Sequence, residues 1–360
     1  MTGVQTCALP IFVCASDFDG DGQTDLAATN WGSNSVSIMM NSGNGTFSNA
    51  VNYAAGGSPR GGFTVDLNGD DRPDLAVANW DQNTVSILMN NGNGTFADVV
   101  SYGVGSGPMS VFATDFDGDG QPDLAVANYY SKNVSILKNN GSGTFAGAVN
   151  YVVGSDPQCV FAADLDGNGH QDLAVVNGGS HTVSILINNG NGAFAGAVNY
   201  GVGINPWSVF AADFDEDGHL DLAVANIVSS TVSILKNNGN GTFVGAVDYG
   251  VGDYPRSVFA SDFDGDGHPD LAVANSNSDN VSILKNNGNG TFASAVDYGV
   301  GMNPWSVFAA DLDGDGDDDL AVANHNSNNV SILFNLSDVP VATFCEIGRA
   351  SCRERVSSPV

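Results

Sequence analysis

The sequence predicts an all-β fold built from seven copies of one unit, and three observations support this. The acidic pattern D-x-D-G-D-G-x-x-D-L, or a close variant of it, begins at Asp17 and recurs six more times, always 49 residues later. Short runs rich in Val, Ile, Phe and Tyr fill the rest of each unit, and Gly, Asn, Asp or Pro bound them. No segment shows a sustained apolar period of 3.6 residues, so helix is not expected.

The third unit shows the four strands that we expect in every copy. Its apolar runs are Ser110–Thr114, Leu124–Asn128, Val134–Leu137 and Thr144–Tyr151. Four antiparallel strands in each 49-residue repeat predict one blade of a β-propeller per repeat, and therefore a seven-bladed β-propeller. A parallel β-helix has a much shorter coil, and a β-sandwich would not repeat identically. Alternation of large and small residues in Leu-Ala-Val-Ala predicts that one face of each blade accepts a closely packed neighbour.

The repeats follow one another without a linker, so we expect one domain over residues 12–345. Residues 1–11 and 346–360 do not fit the repeat and resemble translated sequencing-adapter oligonucleotides. We therefore expect both segments to lie outside the native fold. The first copy lacks a preceding outer strand and the last lacks the NNGNGTF turn, so the first and last blades are candidates for incompleteness. The sequence leaves open whether the ring closes.

The charge excludes one class of function. Forty Asp and Glu stand against ten Lys and Arg, for a formal net charge of −30, so a nucleic-acid binder is excluded because no basic surface could neutralise phosphates. Hydrophobic residues make up 42% of the chain, which is typical of a folded protein. No apolar stretch is long enough for a membrane span, so membrane insertion is not expected. Only three of the acids are Glu, which indicates carboxylates in turns and not on helices.

The acidic pattern predicts a cation site in every repeat. In the first copy Asp17, Asp19, Asp21 and Asp25 occupy loop positions 1, 3, 5 and 9, and Gln23 occupies position 7. Calcium takes six to eight oxygen ligands, which these carboxylates and the position-7 carbonyl can supply. A hairpin turn would need only one or two such residues. The predicted ligands of up to seven Ca²⁺ ions are Asp17, Asp19, Asp21, Gln23, Asp25, Asp66, Asn68, Asp70, Arg72, Asp74, Asp115, Asp117, Asp119, Gln121, Asp123, Asp164, Asp166, Asn168, His170, Asp172, Asp213, Asp215, Asp217, His219, Asp221, Asp262, Asp264, Asp266, His268, Asp270, Asp311, Asp313, Asp315, Asp317 and Asp319.

Two loops depart from the pattern, and we expect both to bind more weakly. The second has Asn68 at position 3 and Asp71 where the other copies have Gly, and a left-handed conformation at Asp71 would cost energy. The fourth has Asn168 at position 5. Magnesium is the less suitable ion throughout, because it retains its waters and seldom occupies an all-protein site.

The loops, the DLAVAN strand that follows and the NNGNGTF turn resemble the FG-GAP/VCBS repeat family. Members of that family form calcium-binding propellers related to the head of integrin α subunits. The resemblance implies a secreted or cell-surface protein with a role in adhesion, in glycan binding or as an accessory domain. It also implies that the calcium loops join the first and second strands on one face, and that partners bind the opposite face.

The unrepeated aromatic residues fall in the connections that this opposite face would carry. Aromatic and Arg side chains on a regular scaffold are typical of binding surfaces. The alternative is that they only cap the blades. The predicted ligand-binding residues are Trp31, Trp80, Tyr129, Tyr130, Trp207, Tyr254, Arg256 and Trp305.

Three functions remain compatible with the sequence. The first is a non-catalytic, calcium-binding propeller that binds a polysaccharide or a cell-surface partner. The second is a structural or protein–protein adhesion module of a longer secreted protein. The third is the propeller of a polysaccharide lyase. A lyase needs a base beside its substrate, whereas the basic residues here are few and spread over separate blades, so we predict no catalytic residues.

Overall fold

The computed structural model describes residues 9–335 and, beyond them, the backbones of two short strands, Val4–Gln5 and Phe344–Glu346. This part of the chain contains strands, bridges and turns but no helix, and hence no helix long and apolar enough to cross a membrane. Seven antiparallel sheets pack side by side, and the innermost strand of the first sheet lies next to that of the seventh. The predicted seven-bladed β-propeller is therefore confirmed.

The first six blades each have four strands in sequence order from the centre outwards, and the seventh has its first three strands in the same order. The innermost strands are Pro10–Ser16, Pro59–Val65, Pro108–Thr114, Pro157–Ala163, Pro206–Ala212, Pro255–Ser261 and Pro304–Ala310. The second strands are Asp25–Asn30, Asp74–Asn79, Asp123–Asn128, Asp172–Asn177, Asp221–Asn226, Asp270–Asn275 and Asp319–Asn324. The third strands are Ser35–Met39, Thr84–Leu88, Asn133–Leu137, Thr182–Leu186, Thr231–Leu235, Asn280–Leu284 and Asn329–Asn335. The outermost strands of the first six blades are Val51–Ala54, Val100–Gly103, Val149–Val152, Val198–Gly201, Val247–Gly250 and Val296–Gly299.

One predicted strand is too long. The fourth strand of the third blade, expected over Thr144–Tyr151, covers Val149–Val152 instead. Phe145 leaves the sheet because it forms an isolated bridge with Asn139 that closes the glycine-rich turn. This bridge recurs in five other blades, so the turn and the outermost strand are separate elements throughout.

Alternating side-chain size lets the blades pack closely. Leu124 and Val126 of the third blade pack against buried residues of the second, among them Ala76. Ala125 and Ala127, on the other face of the same strand, receive Leu173 and neighbouring side chains of the fourth blade. The bulky face of each blade thus fills the space left by the small face of the preceding blade, as the sequence predicted.

An arc of phenylalanines connects the innermost strands. One Phe occupies the fifth position of these strands in six blades, and neighbouring ring centroids lie 4.4 to 5.0 Å apart. The six residues are Phe63, Phe112, Phe161, Phe210, Phe259 and Phe308. Tilted contacts at these distances are favourable for aromatic pairs, so the arc helps to hold the innermost strands around the axis.

The seventh blade takes its outermost strand from the other end of the chain. Val4 pairs with Val330 in the register that Tyr151 and Val134 adopt in the third blade. Strand Phe344–Glu346 pairs with the same third strand nearer its end. The ring is therefore closed by hydrogen bonds between distant segments, and the terminal blades are complete.

The predicted domain boundary at residue 12 lies too late. The first innermost strand already begins at Pro10, because Pro10 keeps the 49-residue spacing with Pro59 and pairs with Asn30 as the other strands require. The adapter-like origin of residues 1–11 stays a prediction. Most of the segment 346–360 lies outside the described residues.

A buried asparagine after each third strand links every blade to the one before it. In the third blade the backbone N–H of Asn139 donates to Asp123 Oδ1 at 2.8 Å, and Asn139 Nδ2 donates to the carbonyl of Leu67 in the second blade, also at 2.8 Å. The interblade bond recurs in all seven blades at 2.8 to 3.0 Å. The seven pairs are Asn41–Leu312, Asn90–Phe18, Asn139–Leu67, Asn188–Phe116, Asn237–Leu165, Asn286–Phe214 and Asn335–Phe263.

We predict that Asn139→Ala lowers the free energy of unfolding by about 2 to 4 kcal/mol, because it leaves two carbonyls without a donor. These are the carbonyls of Leu67 and Pro122, which Asn139 Nδ2 contacts at 2.8 and 3.0 Å. Denaturant unfolding followed by fluorescence would measure the change. Asn140→Ala is the matched control, since this neighbouring amide is exposed. Equal stability of the two variants would contradict the role of the interblade bond.

Candidate metal loops and ligand-binding face

The acidic loops lie between the first and second strands, on one face of the ring. In the first loop the Asp17 carboxylate accepts backbone N–H groups from Gly20 at 2.7 Å and Gly22 at 2.9 Å, so the loop is wound around this side chain. Asp21 Oδ1 accepts the N–H of Gln23 at 2.8 Å. The same turns recur in the other loops, for example around Asp115 and Asp262.

Carboxylates of different loop positions converge on one point. Among the described residues, five groups of three Asp side chains each have one carboxylate oxygen per residue within 4.8 Å of the others. Positions 1, 3 and 9 supply the carboxylates in these groups. The five are Asp17, Asp19 and Asp25; Asp115, Asp117 and Asp123; Asp164, Asp166 and Asp172; Asp213, Asp215 and Asp221; and Asp262, Asp264 and Asp270. Clusters with this spacing could hold a metal ion in each blade.

The position-9 carboxylates are the most buried members of the clusters. Asp25 is fully buried and accepts the backbone N–H groups of Phe18 and Asn41. Its pKa is raised to about 6, first by burial and then by the nearby carboxylates of Asp19 and Asp21, while the two hydrogen bonds lower it. Burial is also the largest cause at Asp270 and Asp319, and it raises their pKa values to about 7 and about 8 against the hydrogen bonds that these carboxylates accept. A divalent cation beside these carboxylates would offset both effects.

Two position-3 carboxylates have an oxygen that suits a cation. Asp215 and Asp264 each keep Oδ1 buried without a hydrogen-bond donor. Their Oδ2 atoms pair with Lys236 at 2.9 Å and Lys285 at 2.6 Å. Burying a carboxylate oxygen without a hydrogen-bond donor costs free energy. A hard cation could take the place of the missing donor.

The position-7 side chains lie outside the loops. A methyl group added to Gly190, Gly239 or Gly288 would come within 2.4 to 2.6 Å of a position-7 His Nε2 atom, so the His rings cover the glycine-rich turns of the same blades. The three rings belong to His170, His219 and His268. That the backbone carbonyl at position 7 is a ligand stays a prediction.

The second and fourth loops differ from the others in chemistry more than in shape. Asn68 places its Nδ2 donor 3.3 Å from Asp70 Oδ2, where other loops offer a carboxylate oxygen. Asp71 has a φ of +63° in the place of glycine. Asn168 Oδ1 accepts the N–H of His170 at 2.8 Å, as Asp does elsewhere, so the fourth loop loses one charge but keeps its geometry.

The opposite face carries two concentric rings of side chains that do not repeat. The inner ring is the second residue of each innermost strand, and the outer ring is the first residue of each turn between the second and third strands. The inner ring consists of Ile11, Arg60, Met109, Gln158, Trp207, Arg256 and Trp305. The outer ring consists of Trp31, Trp80, Tyr129, Gly178, Ile227, Ser276 and His325.

Two adjoining cavities open on this face. The axial cup, of about 90 Å³, is lined by all seven residues of the inner ring. The side groove, of about 470 Å³, runs outwards between Trp80 and Tyr129 on one side and Trp207 and Val228 on the other. Arg60, Met109, Gln158 and Trp207 line both cavities and join them. The side groove passes Gly178 and Gly179, which stand where the third blade has Tyr129 and Tyr130.

Most of the predicted ligand-binding residues meet around these cavities. Arg256 lies between two indoles, with its Cζ 4.7 Å from the ring centroid of Trp207 and 3.9 Å from that of Trp305. Trp80 packs against Tyr129 and Tyr130, with ring centroids 5.4 and 5.0 Å apart. These contacts bring residues of several blades into one aromatic surface.

Three predicted residues lie outside both cavities. Trp31 contacts the surface through Arg60, whose Cζ lies 5.1 Å from the centroid of the Trp31 ring. Tyr130 and Tyr254 are 61% and 41% exposed. Tyr254 stands at the loop position before its innermost strand and lines neither cavity.

Sequence reasoning missed three residues that complete this surface. Arg60 contacts three indoles, Gln158 is only 6% exposed at the junction of the cavities, and the His325 ring stacks on Trp305 at 4.8 Å. Aligning the repeats could have found them, because the inner-ring position varies while the strand around it stays constant.

The repeats match a known family of sequence repeats. The sequence pattern of the FG-GAP-like repeat matches residues 17–77, 66–126, 115–175, 164–224, 213–273 and 262–322. The chain belongs to the FG-GAP-like repeat family. A comparison with curated protein sequences gave no match.

Many solved propellers share the shape of this FG-GAP-like chain at low sequence identity. A lectin of Agrocybe aegerita that recognises non-reducing terminal N-acetylglucosamine is 22% identical, with a TM-score of 0.59 and 93% of each chain covered. Virginiamycin B lyase from Staphylococcus aureus, in complex with quinupristin, is 12% identical, with a TM-score of 0.63 and 92% and 97% of the two chains covered. BBS1N in its complex with ARL6DN is 14% identical, with a TM-score of 0.65 and 92% and 93% covered. These similarities show the fold alone.

We predict that Asp71→Gly stabilises the FG-GAP-like ring by about 1 kcal/mol in the presence of chelator, because glycine adopts a positive φ without strain. Asp71→Ala is the matched control, since it also removes the carboxylate but keeps a Cβ atom. Unfolding in denaturant would compare the two. A gain in stability from both substitutions would show that charge relief, and not backbone strain, is responsible.

Proposed function

We propose that this protein is a non-catalytic, calcium-binding propeller that binds a polysaccharide through the face opposite the acidic loops. We propose further that it works in a secreted or cell-surface setting, where calcium is abundant. The observation that carries the proposal is the division of the ring into two faces. Carboxylates cluster on one, and the axial cup and side groove open on the other.

Calcium is the ion that the loops suit best. Their donors are oxygens from short carboxylates, with one further backbone carbonyl, which is the donor set of a hard cation. Five groups of Asp side chains among the described residues offer three such oxygens within 4.8 Å. Without a cation these charges repel one another, so an ion that binds only the folded ring would stabilise it.

Removal of calcium should lower the melting temperature by about 10 °C or more, because each site contributes about 2.7 kcal/mol when calcium exceeds Kd a hundredfold. Differential scanning calorimetry with calcium and with EGTA would measure this, and magnesium should restore little of the loss. A shift of only about 1 to 2 °C would contradict calcium binding as a source of stability.

The cavities have the composition of a carbohydrate site. Aromatic side chains line the side groove, and only a few polar groups converge on it, among them Arg60, Asp156 and Gln158. Sugar rings stack on exposed indoles, while polar groups fix their orientation. The Agrocybe aegerita lectin, which has a similar fold, recognises a terminal sugar.

Trp207→Ala should weaken glycan binding at least tenfold, because Trp207 lines both cavities. Tyr254→Ala is the control, since this aromatic residue lies on the same face outside them. Binding would be scored on a glycan microarray with calcium present, and melting curves would establish that both variants fold. Absence of any glycan signal from the native chain would instead favour the structural or protein-adhesion module.

A further inference from the structure

We propose that the axial cup binds a carboxylate group, so that the saccharide taken by this protein is an acidic one. The charged group would lie against Arg60 and Arg256, and the sugar rings would continue into the side groove. This inference rests on the proposed glycan-binding function and specifies the class of glycan.

Two of the few basic residues meet at the cup. The Cζ atoms of Arg60 and Arg256 lie 5.8 and 3.9 Å from the ring centroid of the same residue, Trp305. Each guanidinium also stacks on further indoles, Trp31 and Trp80 for Arg60 and Trp207 for Arg256. In a chain with a formal net charge of −30, this pairing of cations needs an explanation.

Neither guanidinium has a carboxylate partner within 4.0 Å among the residues that the structure describes. The five ion pairs among the described residues all involve side chains of the acidic loops, on the other face. Arg256 Nε donates to Ser276 Oγ at 3.2 Å, but Arg256 Nη1 and Arg60 Nε are buried without an acceptor. None of the described residues that line the cup is Asp or Glu.

The remaining carboxylates of this face do not neutralise the pair. Asp81 acts on Arg60 only from beyond ion-pair distance, and its Oδ2 accepts a hydrogen bond from Ser58 at 2.5 Å. Asp156, in the side groove, lies beside Tyr129, whose pKa is raised by burial and by this carboxylate. Burial lowers the pKa of both arginines, and Arg60 adds to the effect at Arg256, whose pKa falls to about 10. Holding the two charges together is therefore unfavourable until an anion arrives.

A carboxylate fits the groups that the arginines leave open. A cation–π contact with an indole uses no hydrogen-bond acceptor, so N–H edges of both guanidinium groups remain for a ligand, with Arg60 Nε and Arg256 Nη1 unpaired. Planar carboxylates bind such edges through two parallel hydrogen bonds. A carboxylate would satisfy the unpaired donors and relieve the repulsion between the two arginines.

A second observation indicates a sugar acid and not a simple anion. Gln158 is 6% exposed and lines both cavities, and its Oε1 has no donor. A buried acceptor calls for a donor such as a hydroxyl group. The cup is also much smaller than the groove, about 90 against 470 Å³, so the cup suits one charged group and the groove suits sugar rings.

The test compares trigalacturonate with its methyl ester, which has the same rings without the charges. Calorimetric titration at saturating calcium should give at least tenfold tighter binding of the acid. Arg256→Met should weaken binding of the acid about tenfold more than it weakens binding of the ester, and Arg60→Met should act in the same direction. Lys132→Met is the matched control, because Lys132 is an exposed cation of the same face that lines neither cavity.

The outcomes separate this inference from the proposed function. Equal binding of acid and ester, or equal effects of Arg256→Met and Lys132→Met, would overturn the carboxylate site while leaving glycan binding in place. Failure of both compounds to bind would count against both proposals. If Arg256→Met has a lowered melting temperature, Arg256→Lys is tested in its place. Because Arg256→Lys keeps a positive charge, it should retain more binding of the acid than Arg60→Met does. The reverse order would also overturn the inference.

Discussion

The ring depends on one repeated hydrogen-bond unit. A buried Asp at position 9 of each acidic loop accepts N–H groups from its own blade, and the Asn that it holds donates across to the preceding blade. These groups are buried, so an unmade bond would cost about 1 to 3 kcal/mol, and seven such links fix the distance between blades. The close packing of Leu124 against the small face of the second blade is possible only at that distance. The cation loops are therefore joined to the closure of the ring and not appended to it.

The two faces of the ring have different tasks because they are subject to different constraints. On the acidic face almost every residue repeats, since each loop must form the same turns and the same bridge to its neighbour. On the other face the innermost strands begin and the turns between the second and third strands project, and neither takes part in those bridges. Residues there are free to differ between blades. Segregation also keeps the carboxylates away from Arg60 and Arg256, so two cations can persist near the axis of a strongly acidic protein.

Local patterns predicted much of this structure, whereas contacts between distant segments could not be derived from them. The 49-residue period and the alternation of Leu124 with Ala125 were enough to predict the blades and their packing. The outermost strand came out too long, because Phe145 is as apolar as a strand residue but forms a bridge to Asn139 instead. The pairing of Val4 with Val330 depends on the two ends of the chain meeting, which no local pattern expresses. In the same way, the sequence placed Trp207, Arg256 and Trp305 on one face, but the contacts of the guanidinium with both indoles and the groove at Gly178 depend on how the blades are arranged around the axis.

Equal blade length makes the inner ring a cyclic series of seven side chains. The seventh blade adjoins the first in the same way as any two neighbouring blades. The series of inner-ring residues from Ile11 to Trp305 therefore continues back to Ile11, and any blade could be counted as its first. A circular permutant cut in an outer loop would present the same cup. Exchange of one whole blade for another would change one position of the inner ring and one of the outer ring without disturbing the cation loops. The repeat thus separates the evolution of specificity from the evolution of stability, with one blade as the unit of change.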